Sequence, residues 1–170
     1  MTQPEDKLCT LHELEKECAG WREQGLIVVL VNGAFDVLHV GHLRYLAAAR
    51  DLGDRLVAAV NSDLSVQLSK GEQRPIIPEI ERVEILTHLW MVDRICLFDS
   101  KTVSPVLERL QPQIHAKGTD YTVDTVPERK VVEAYGGRTA ICGDPKDHAT
   151  TDLIGIILER FGSSDGEPFP

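Results

Sequence analysis

Two histidines, His39 and His42, stand three residues apart with Gly41 between them, shortly after a run of apolar residues at 26–31. The apolar run is typical of a strand buried on both faces of a parallel sheet, and from Gly41 the pattern becomes helical. The histidines therefore fall where a helix begins, and the N–H groups and partial positive charge of a helix N-terminus favour phosphate. Imidazoles add hydrogen-bond donors that suit charge growing during a reaction. The segment predicts a phosphate-binding site.

The residues around the histidine pair support this interpretation. Gly33, at the end of the strand, would let a ligand approach the backbone closely. Asp36 suits either a turn or helix-cap role or a contact with substrate. Taken alone, the pair also fits ordinary helix-start residues, but its place after a buried strand favours a binding site. The sequence contains neither G-x-x-x-x-G-K-[S/T] nor G-x-G-x-x-G, so it is neither a P-loop nor the common dinucleotide-binding fingerprint.

Hydrophobic periodicity predicts the elements that must position these residues. Helices are predicted at 10–24, 41–53, 79–89, 102–110, 127–135 and 150–161, and strands at 26–31, 55–60, 94–98, 114–117 and 138–142. The polar stretch 61–78 is predicted to be a long loop with at most one helical turn.

Five short strands that alternate with helices predict an α/β fold, a single Rossmann-like domain with a five-stranded parallel sheet flanked by helices. We expect this domain to span 1–161, with 1–24 as an N-terminal helical extension and 162–170 as a disordered tail. Sheets of this kind bind ligands outside the carboxyl ends of their strands, near the point where the strand order reverses.

The composition excludes several classes of protein. The 170 residues carry a net charge of −9, which is the opposite of what a nucleic-acid or membrane-surface binder needs. No apolar run approaches the ~20 residues of a membrane span, and the polar residues 1–17 do not form a signal peptide. The four cysteines are widely spaced, without a zinc pattern, and predict reduced thiols in a cytoplasmic protein.

The segment Gly33-x-Phe35-Asp36-x-Leu38-His39-x-Gly41-His42 resembles the signature of the H-x-G-H nucleotidyltransferases, the cytidylyltransferase-like superfamily. The resemblance covers about 26–160 and continues through Leu52-Gly53-Asp54, Val60-Asn61-Ser62-Asp63, Lys70-Gly71-x-x-Arg74-Pro75-Ile76, Glu81-Arg82, Val92-Asp93, Lys117-Gly118-x-Asp120-Tyr121, Lys130, Gly136-Gly137 and Thr150-Thr151. Within the superfamily the chain is most similar to the adenylyltransferases that act on D-glycero-D-manno-heptose 1-phosphate, in the loops that begin at Lys70 and Lys117.

This resemblance implies transfer of AMP from ATP to a sugar 1-phosphate, with ADP-heptose and pyrophosphate as products, for the supply of heptose to lipopolysaccharide or another surface glycan. It implies no covalent intermediate, so that positioning and charge stabilisation carry the catalysis. Mg²⁺ is expected as cofactor, bridging phosphates and water rather than bound by a dedicated protein site. The expected partners are a separate sugar kinase acting upstream and a second copy of the chain in a homodimer.

The resemblance also assigns residues. The implied catalytic residues are His39 and His42, which would stabilise the α-phosphorus, and Lys70, which would reach the β- and γ-phosphates. The implied nucleotide-binding residues are Gly33, Ala34, Phe35, Gly41, His42, Lys117, Gly118, Asp120, Thr150 and Thr151. The implied substrate-binding residues are Asp36, Asn61, Asp63, Arg74, Arg82 and Asp93.

Structural roles remain open for several of these residues. Lys70 and Lys117 suit solvated lysines at a loop and at a strand end, and Arg82 suits an ion pair on its own helix. Asp93 suits a residue that fixes a loop, and the threonine pair suits a simple helix cap.

The stretch before the last helix differs from the R-T-x-G-I-S-T-T motif of the glycerol-phosphate cytidylyltransferases. The arginine is missing, and Ala149 stands at the serine position, where His148 or a backbone group could substitute. The missing arginine weakens the case for cytidine. The alternatives are a cytidylyltransferase for glycerol 3-phosphate or a related alcohol phosphate, an adenylyltransferase for a flavin or pantetheine phosphate, and a nucleotide-binding module without turnover.

Overall fold

A computed structural model describes residues 7–145 and 149–162 and has one parallel sheet of five strands in the order β3-β2-β1-β4-β5. The strands are β1 (Val28–Gly33), β2 (Arg55–Asn61), β3 (Arg94–Phe98), β4 (Ile114–Lys117) and β5 (Arg138–Ile141). The α/β architecture predicted from the alternating pattern is confirmed. The strand order reverses between β1 and β4, which are hydrogen-bonded neighbours, so the carboxyl ends of these two strands are the expected ligand position.

Seven helices flank the sheet in the part of the chain that the structure describes. They are α1 (Leu11–Glu23), α2 (Val40–Arg50), α3 (Asp63–Lys70), α4 (Glu79–Thr87), α5 (Ser104–Leu110), α6 (Arg129–Ala134) and α7 (Thr150–Phe161). None of the helices among these residues is long and apolar enough to cross a membrane. The predicted tail lies outside the described residues, apart from Gly162.

The first strand begins two residues later than its apolar run predicts. The N–H of Leu26 donates to the Trp21 carbonyl at the end of α1, and the N–H of Ile27 donates to the Asp54 carboxylate. These two residues are therefore held by the ends of neighbouring elements before the β1 ladder starts.

The stretch predicted to be a long loop contains an eight-residue helix, α3. The Ser62 hydroxyl caps its N-terminus by accepting from the Ser65 N–H, and Gly71, at φ +94°, follows its last residue. Only Ser65 and Val66 of this helix are buried, whereas its two leucines, Leu64 and Leu68, are exposed. The helix places Lys70 at its C-terminal end rather than in a loop.

Two apolar layers cover the sheet, one on each face. One contains Val29 and Val31 of β1 with Leu46 of α2, and the other contains Leu30 of β1 with Leu14 of α1. The predicted N-terminal extension is thus α1, which packs onto the sheet as part of the core. The four cysteines are free thiols.

Candidate active site

A cavity of about 620 Å³ opens at the carboxyl ends of β1 and β4. Most of the residues that the sequence assigned to a site line it: Gly33, Ala34, Phe35, Asp36, His39, Gly41, His42, Asn61, Lys70, Arg74, Lys117, Gly118, Asp120, Thr150 and Thr151. Residues from both ends of the chain therefore converge at the point where the strand order reverses.

The two histidines form the N-terminal cap of α2. The Nδ1 atom of His39 accepts from the Gly41 N–H at 3.1 Å, and the Nδ1 atom of His42 accepts from the His39 N–H at 3.4 Å. The ring centroids are 4.0 Å apart. Because each Nδ1 accepts a hydrogen bond, the proton of each neutral ring lies on Nε2. The pair is therefore both a helix cap and a pair of Nε2–H donors in the wall of the cavity.

His42 is held in its neutral form. Burial lowers its pKa to about 4, and the nearby His39 and Lys70 act in the same direction. At neutral pH the His42 ring is thus a hydrogen-bond donor without a charge. Positive charge in the cavity comes instead from the lysines, with Lys70 at the C-terminal end of α3 close enough to affect the ring.

The loop between β1 and α2 is strained. Phe35 and Val37 both have φ near +50°, a region that non-glycine residues rarely adopt and that is least favourable for a β-branched residue. Each such residue costs about 1–3 kcal/mol and persists only where the surroundings impose it. The strain lies immediately before the histidine cap, so the contacts that impose it also place the histidines.

The Asp36 carboxylate supplies the first of these contacts. It accepts from the N–H groups of Ile76 and Ile77 and forms an ion pair with Arg74 at 2.6 Å. Burial alone would raise the pKa of Asp36, but the Ile77 and Ile76 N–H bonds and Arg74 together hold the pKa below its ordinary value. Asp36 and Arg74 thus hold each other and the segment before α4.

Two further anchors hold the backbone of the same loop. The Thr150 hydroxyl, in the first turn of α7, donates to the Asp36 carbonyl at 2.8 Å. The Arg82 guanidinium, from α4, donates to the Ala34 carbonyl. The hydroxyl proton of Thr150 is therefore engaged with the loop, and no described side chain caps α7, whose N-terminal residues line the cavity.

Three of the expected substrate-binding residues lie outside the cavity. Arg82 is fully buried, and besides Ala34 it bonds to Asp63 at 2.8 Å and to the Ile77 carbonyl at 2.9 Å. Asp93 lies at the opposite, amino end of the sheet, where its carboxylate accepts from the Leu56 N–H at 2.7 Å. The predicted strand at 94–98 already places Asp93 at the amino end of the sheet, whereas the burial of Arg82 depends on packing that its motif does not show. His148 lies outside the described residues.

Lys117 enters the cavity from the end of β4 as a buried cation. Its Nζ atom lies 3.3 Å from the Asn32 Oδ1 atom and 4.7 Å from the centroid of the Tyr121 ring. Burial lowers the pKa of Lys117, whereas Glu128 and Asp120 oppose that shift.

Sequence reasoning missed three residues that shape this part of the site: Asn32, Tyr45 and His115. The Tyr45 hydroxyl donates to the Ala116 carbonyl at 2.7 Å and so ties α2 to β4. The His115 Nε2 atom lies 3.0 Å from the Asn32 Oδ1 atom. The signal for Asn32 was its place beside Gly33 at the strand end, and the signal for His115 was its place two residues before Lys117.

The arrangement can bind a polyanion. It combines a helix N-terminus, two imidazole donors and two lysines around one cavity. Across the described ranges, no three His, Cys, Asp or Glu side chains are grouped so that they could hold a metal ion. The fold and the site are those of an α/β protein whose cavity, at its first strand–helix junction, suits a phosphate-bearing ligand.

Comparisons with known proteins agree with this class. The family model described as cytidylyltransferase-like matches residues 30–159, and the chain belongs to that family. Among curated proteins, the bifunctional protein HldE of Geobacter sulfurreducens is 44% identical over 156 residues, which cover 92% of this chain and 32% of that protein. HldE of Syntrophotalea carbinolica is 45% identical over 140 residues, which cover 82% of this chain and 29% of that protein. The chain thus spans about a third of the length of these relatives.

Two solved structures are also similar. A lipopolysaccharide core biosynthesis protein from Thermoplasma volcanium has a TM-score of 0.59 and 32% identity, and the match covers 69% of this chain and 94% of that one. A pantoate-beta-alanine ligase from Francisella tularensis has a TM-score of 0.61 at 13% identity, covering 96% of this chain and 82% of that one. The second likeness concerns the fold alone.

Replacing Arg82 by Met should lower the free energy of unfolding by about 3 kcal/mol, because it leaves the Asp63 carboxylate and two carbonyl groups without their buried partner. Urea denaturation monitored by circular dichroism measures this loss. Glu81→Gln, an exposed neighbour on α4, is the matched control. An Arg82→Met protein as stable as the wild type would show that Arg82 does not hold the loop.

Stability should fall as the pH is lowered from about 7 to about 4. Burial lowers the pKa of His42 to about 4 and that of His115 to about 3, whereas the ordinary value is 6.5. Between these values the unfolded chain binds protons that the folded chain does not, so stability rises with pH.

His115→Gln should remove roughly 1.4 kcal/mol per pH unit from this slope, the value for one proton. Urea denaturation at pH 5, 6 and 7 measures it, with His12→Gln on the exposed side of α1 as control. If His115→Gln left the pH dependence of the unfolding free energy unchanged, the lowered pKa of His115 would be contradicted.

Proposed function

We propose that the chain is an adenylyltransferase that transfers AMP from ATP to a sugar 1-phosphate, specifically D-glycero-D-manno-heptose 1-phosphate. The observation that carries the proposal is the pair of imidazoles at the N-terminus of α2, with the Lys70 and Lys117 side chains in the same cavity. Membership of the cytidylyltransferase-like family supports nucleotidyl transfer. Identities of about 41–46% to HldE proteins and the similarity to a lipopolysaccharide core biosynthesis protein support a heptose phosphate as acceptor.

In this proposal the triphosphate lies across the N-terminus of α2. His39 and His42 donate from Nε2 to its oxygens, and they stabilise the charge that grows on the α-phosphoryl group. An oxygen of the acceptor phosphate attacks the α-phosphorus, the bond to the β-phosphate oxygen breaks, and pyrophosphate leaves. Lys70 offsets the charge on the leaving pyrophosphate, and the N–H groups at the start of α7 bind phosphate as well.

The remaining predicted contacts follow from this placement. Gly33, Ala34, Phe35 and Gly41 line the cavity and would lie beside the phosphates, Gly118 and Asp120 would contact the nucleotide together with Lys117, and Thr151 would bind phosphate from the start of α7. Asn61 lines the same cavity, where its Nδ2 atom donates to the Ser65 hydroxyl at 2.9 Å, and its amide oxygen would contact the acceptor. Asp36, Arg74 and Thr150 act through the loop that they hold.

Mg²⁺ fits this cavity as an ion carried by the triphosphate. The buried Asp36 carboxylate is already engaged, and Asp144 on the rim pairs with Arg44 at 2.9 Å, so the protein offers few oxygen ligands. Mg²⁺ is commonly held by one or two carboxylates with phosphate oxygens and water, and when bound it withdraws charge from the phosphates.

The proposed reaction implies which reactions supply its substrate and use its product. In this proposal a sugar kinase acts upstream to phosphorylate the sugar, and the product supplies heptose to a surface glycan. Use of ATP fits the predicted cytoplasmic location. Assembly as a homodimer remains a prediction.

The proposal is tested by measuring pyrophosphate release from the wild-type protein with ATP or CTP. The acceptors are heptose 1-phosphate, glycerol 3-phosphate, a flavin phosphate and a pantetheine phosphate, each with Mg²⁺. We expect the highest kcat/KM for ATP with heptose 1-phosphate. Faster turnover of CTP with an alcohol phosphate would contradict the proposal. Calorimetric binding of ATP without turnover of any acceptor would instead indicate a nucleotide-binding module.

His42→Ala should lower kcat by roughly 10²–10³, the effect of removing one preorganised donor in other enzymes. The protein should stay folded with a modest loss of melting temperature, because the hydrogen bond that the described residues give the ring is long, at 3.4 Å, and its other contacts are with the His39 and Phe35 rings. Steady-state kinetics beside thermal unfolding measure both quantities, with His88→Ala, at the end of α4, as control. A folded His42→Ala protein with full activity would remove the proposed mechanism.

A further inference from the structure

The side chain of Asn32 is held by two donors from the neighbouring strand. Asn32 lies near the end of β1, and His115 and Lys117, two residues apart on β4, point to the same face of the sheet. The Asn32 Oδ1 atom is 3.0 Å from the His115 Nε2 atom and 3.3 Å from the Lys117 Nζ atom. All three residues lie beside the position where the strand order reverses.

These contacts determine which way the amide points. An ammonium group can only donate, so the atom nearest to Lys117 has to be the carbonyl oxygen of Asn32 and not its amino group. That oxygen also needs a donor from His115, so the His115 proton lies on Nε2. The buried Nδ1 atom of His115 has no hydrogen-bond partner within the described residues, which agrees with an unprotonated Nδ1. The ring is neutral, because burial and Lys117 lower its pKa to about 3.

The Asn32 amino group is consequently directed away from β4. Asn32 lines the cavity, and no acceptor within the described ranges bonds to its Nδ2 atom. A cation on the carbonyl oxygen polarises the amide and strengthens its N–H groups as donors. Two such N–H groups at the carboxyl end of β1 suit an oxygen of a phosphate or a hydroxyl group.

We propose that Asn32 is a further substrate-binding residue, whose amino group donates to a phosphate or hydroxyl oxygen of the nucleotide or of the sugar phosphate, and that His115 is the positioning residue that orients it. The proposal rests on the proposed function and adds a contact to it. Lys117 then acts on the substrate in two ways: it polarises the Asn32 amide, and its own positive charge attracts the phosphates.

Asn32→Asp is the decisive variant. The carboxylate has the same shape, accepts both bonds and pairs with Lys117, so the melting temperature should be equal to or above that of the wild type. It has no N–H group and places a negative charge beside the substrate, so kcat/KM should fall by about 10²-fold. Gln113→Glu, the same chemical change at the amino end of β4, is the matched control and should keep wild-type kcat/KM.

Two variants of His115 separate positioning from simple packing. His115→Leu removes the donor to Asn32 without touching the cavity, and it should raise the KM for one substrate by about 10-fold. His115→Gln offers an amide N–H near the position of Nε2 and should restore most of that affinity. If both variants lose the same affinity, or neither loses any, the positioning role is wrong.

Calorimetric titration with a non-hydrolysable ATP analogue alone, and with heptose 1-phosphate alone, identifies the ligand that Asn32 contacts. The Kd that rises in Asn32→Asp belongs to that ligand. Unchanged Kd and kcat/KM for both ligands in a folded Asn32→Asp protein would overturn the proposal. Failure of the proposed function has a different signature, namely a wild-type protein without turnover, and in that case the binding of the ATP analogue still tests Asn32.

Discussion

The buried carboxylate of Asp36 is the contact on which the site depends. The carboxylate accepts hydrogen bonds from two backbone N–H groups and pairs with Arg74. The backbone carbonyl of Asp36 accepts a hydrogen bond from the Thr150 hydroxyl, and the Ala34 carbonyl, two residues earlier, accepts one from Arg82. These contacts join α3–α4, the first strand–helix loop and α7. They hold Phe35 and Val37 at positive φ, and this backbone path places His39 at the N-cap position of α2.

Charge inside the cavity differs from charge on the whole chain. The net charge is −9, yet the cavity contains lysines and arginines from four separate segments. Two of the arginines, Arg44 and Arg74, are neutralised by aspartates, and burial keeps His42 uncharged. Lys70 and Lys117 add positive charge to the cavity, and the imidazoles add directed donors. This division suits a substrate whose negative charge moves from the α-phosphoryl group to the leaving pyrophosphate.

Most of the fold could be predicted from periodicity, since buried parallel strands are continuous apolar runs and the longer helices have apolar faces. Strand β3, strand β4 and helix α7 were predicted to the residue. Helix α3 was not, because its burial involves Ser65 and Val66 and its stability comes from a capping serine and contacts with distant residues. The site residues near the histidine motif could be predicted because the start of a helix is a local feature.

The sequence by itself determined the alternation of strands and helices, the place of the histidine pair at a helix start, and the likeness to nucleotidyltransferases. Only the tertiary structure decided which predicted residues face the cavity and which hold the loop or the far edge of the sheet. Asp36 and Arg82 bind backbone groups about forty or more residues away, and the Asn32–His115–Lys117 contacts exist only because β1 and β4 are neighbours. Such pairings depend on strand order and on the path of the loops, which local patterns of residue type do not encode.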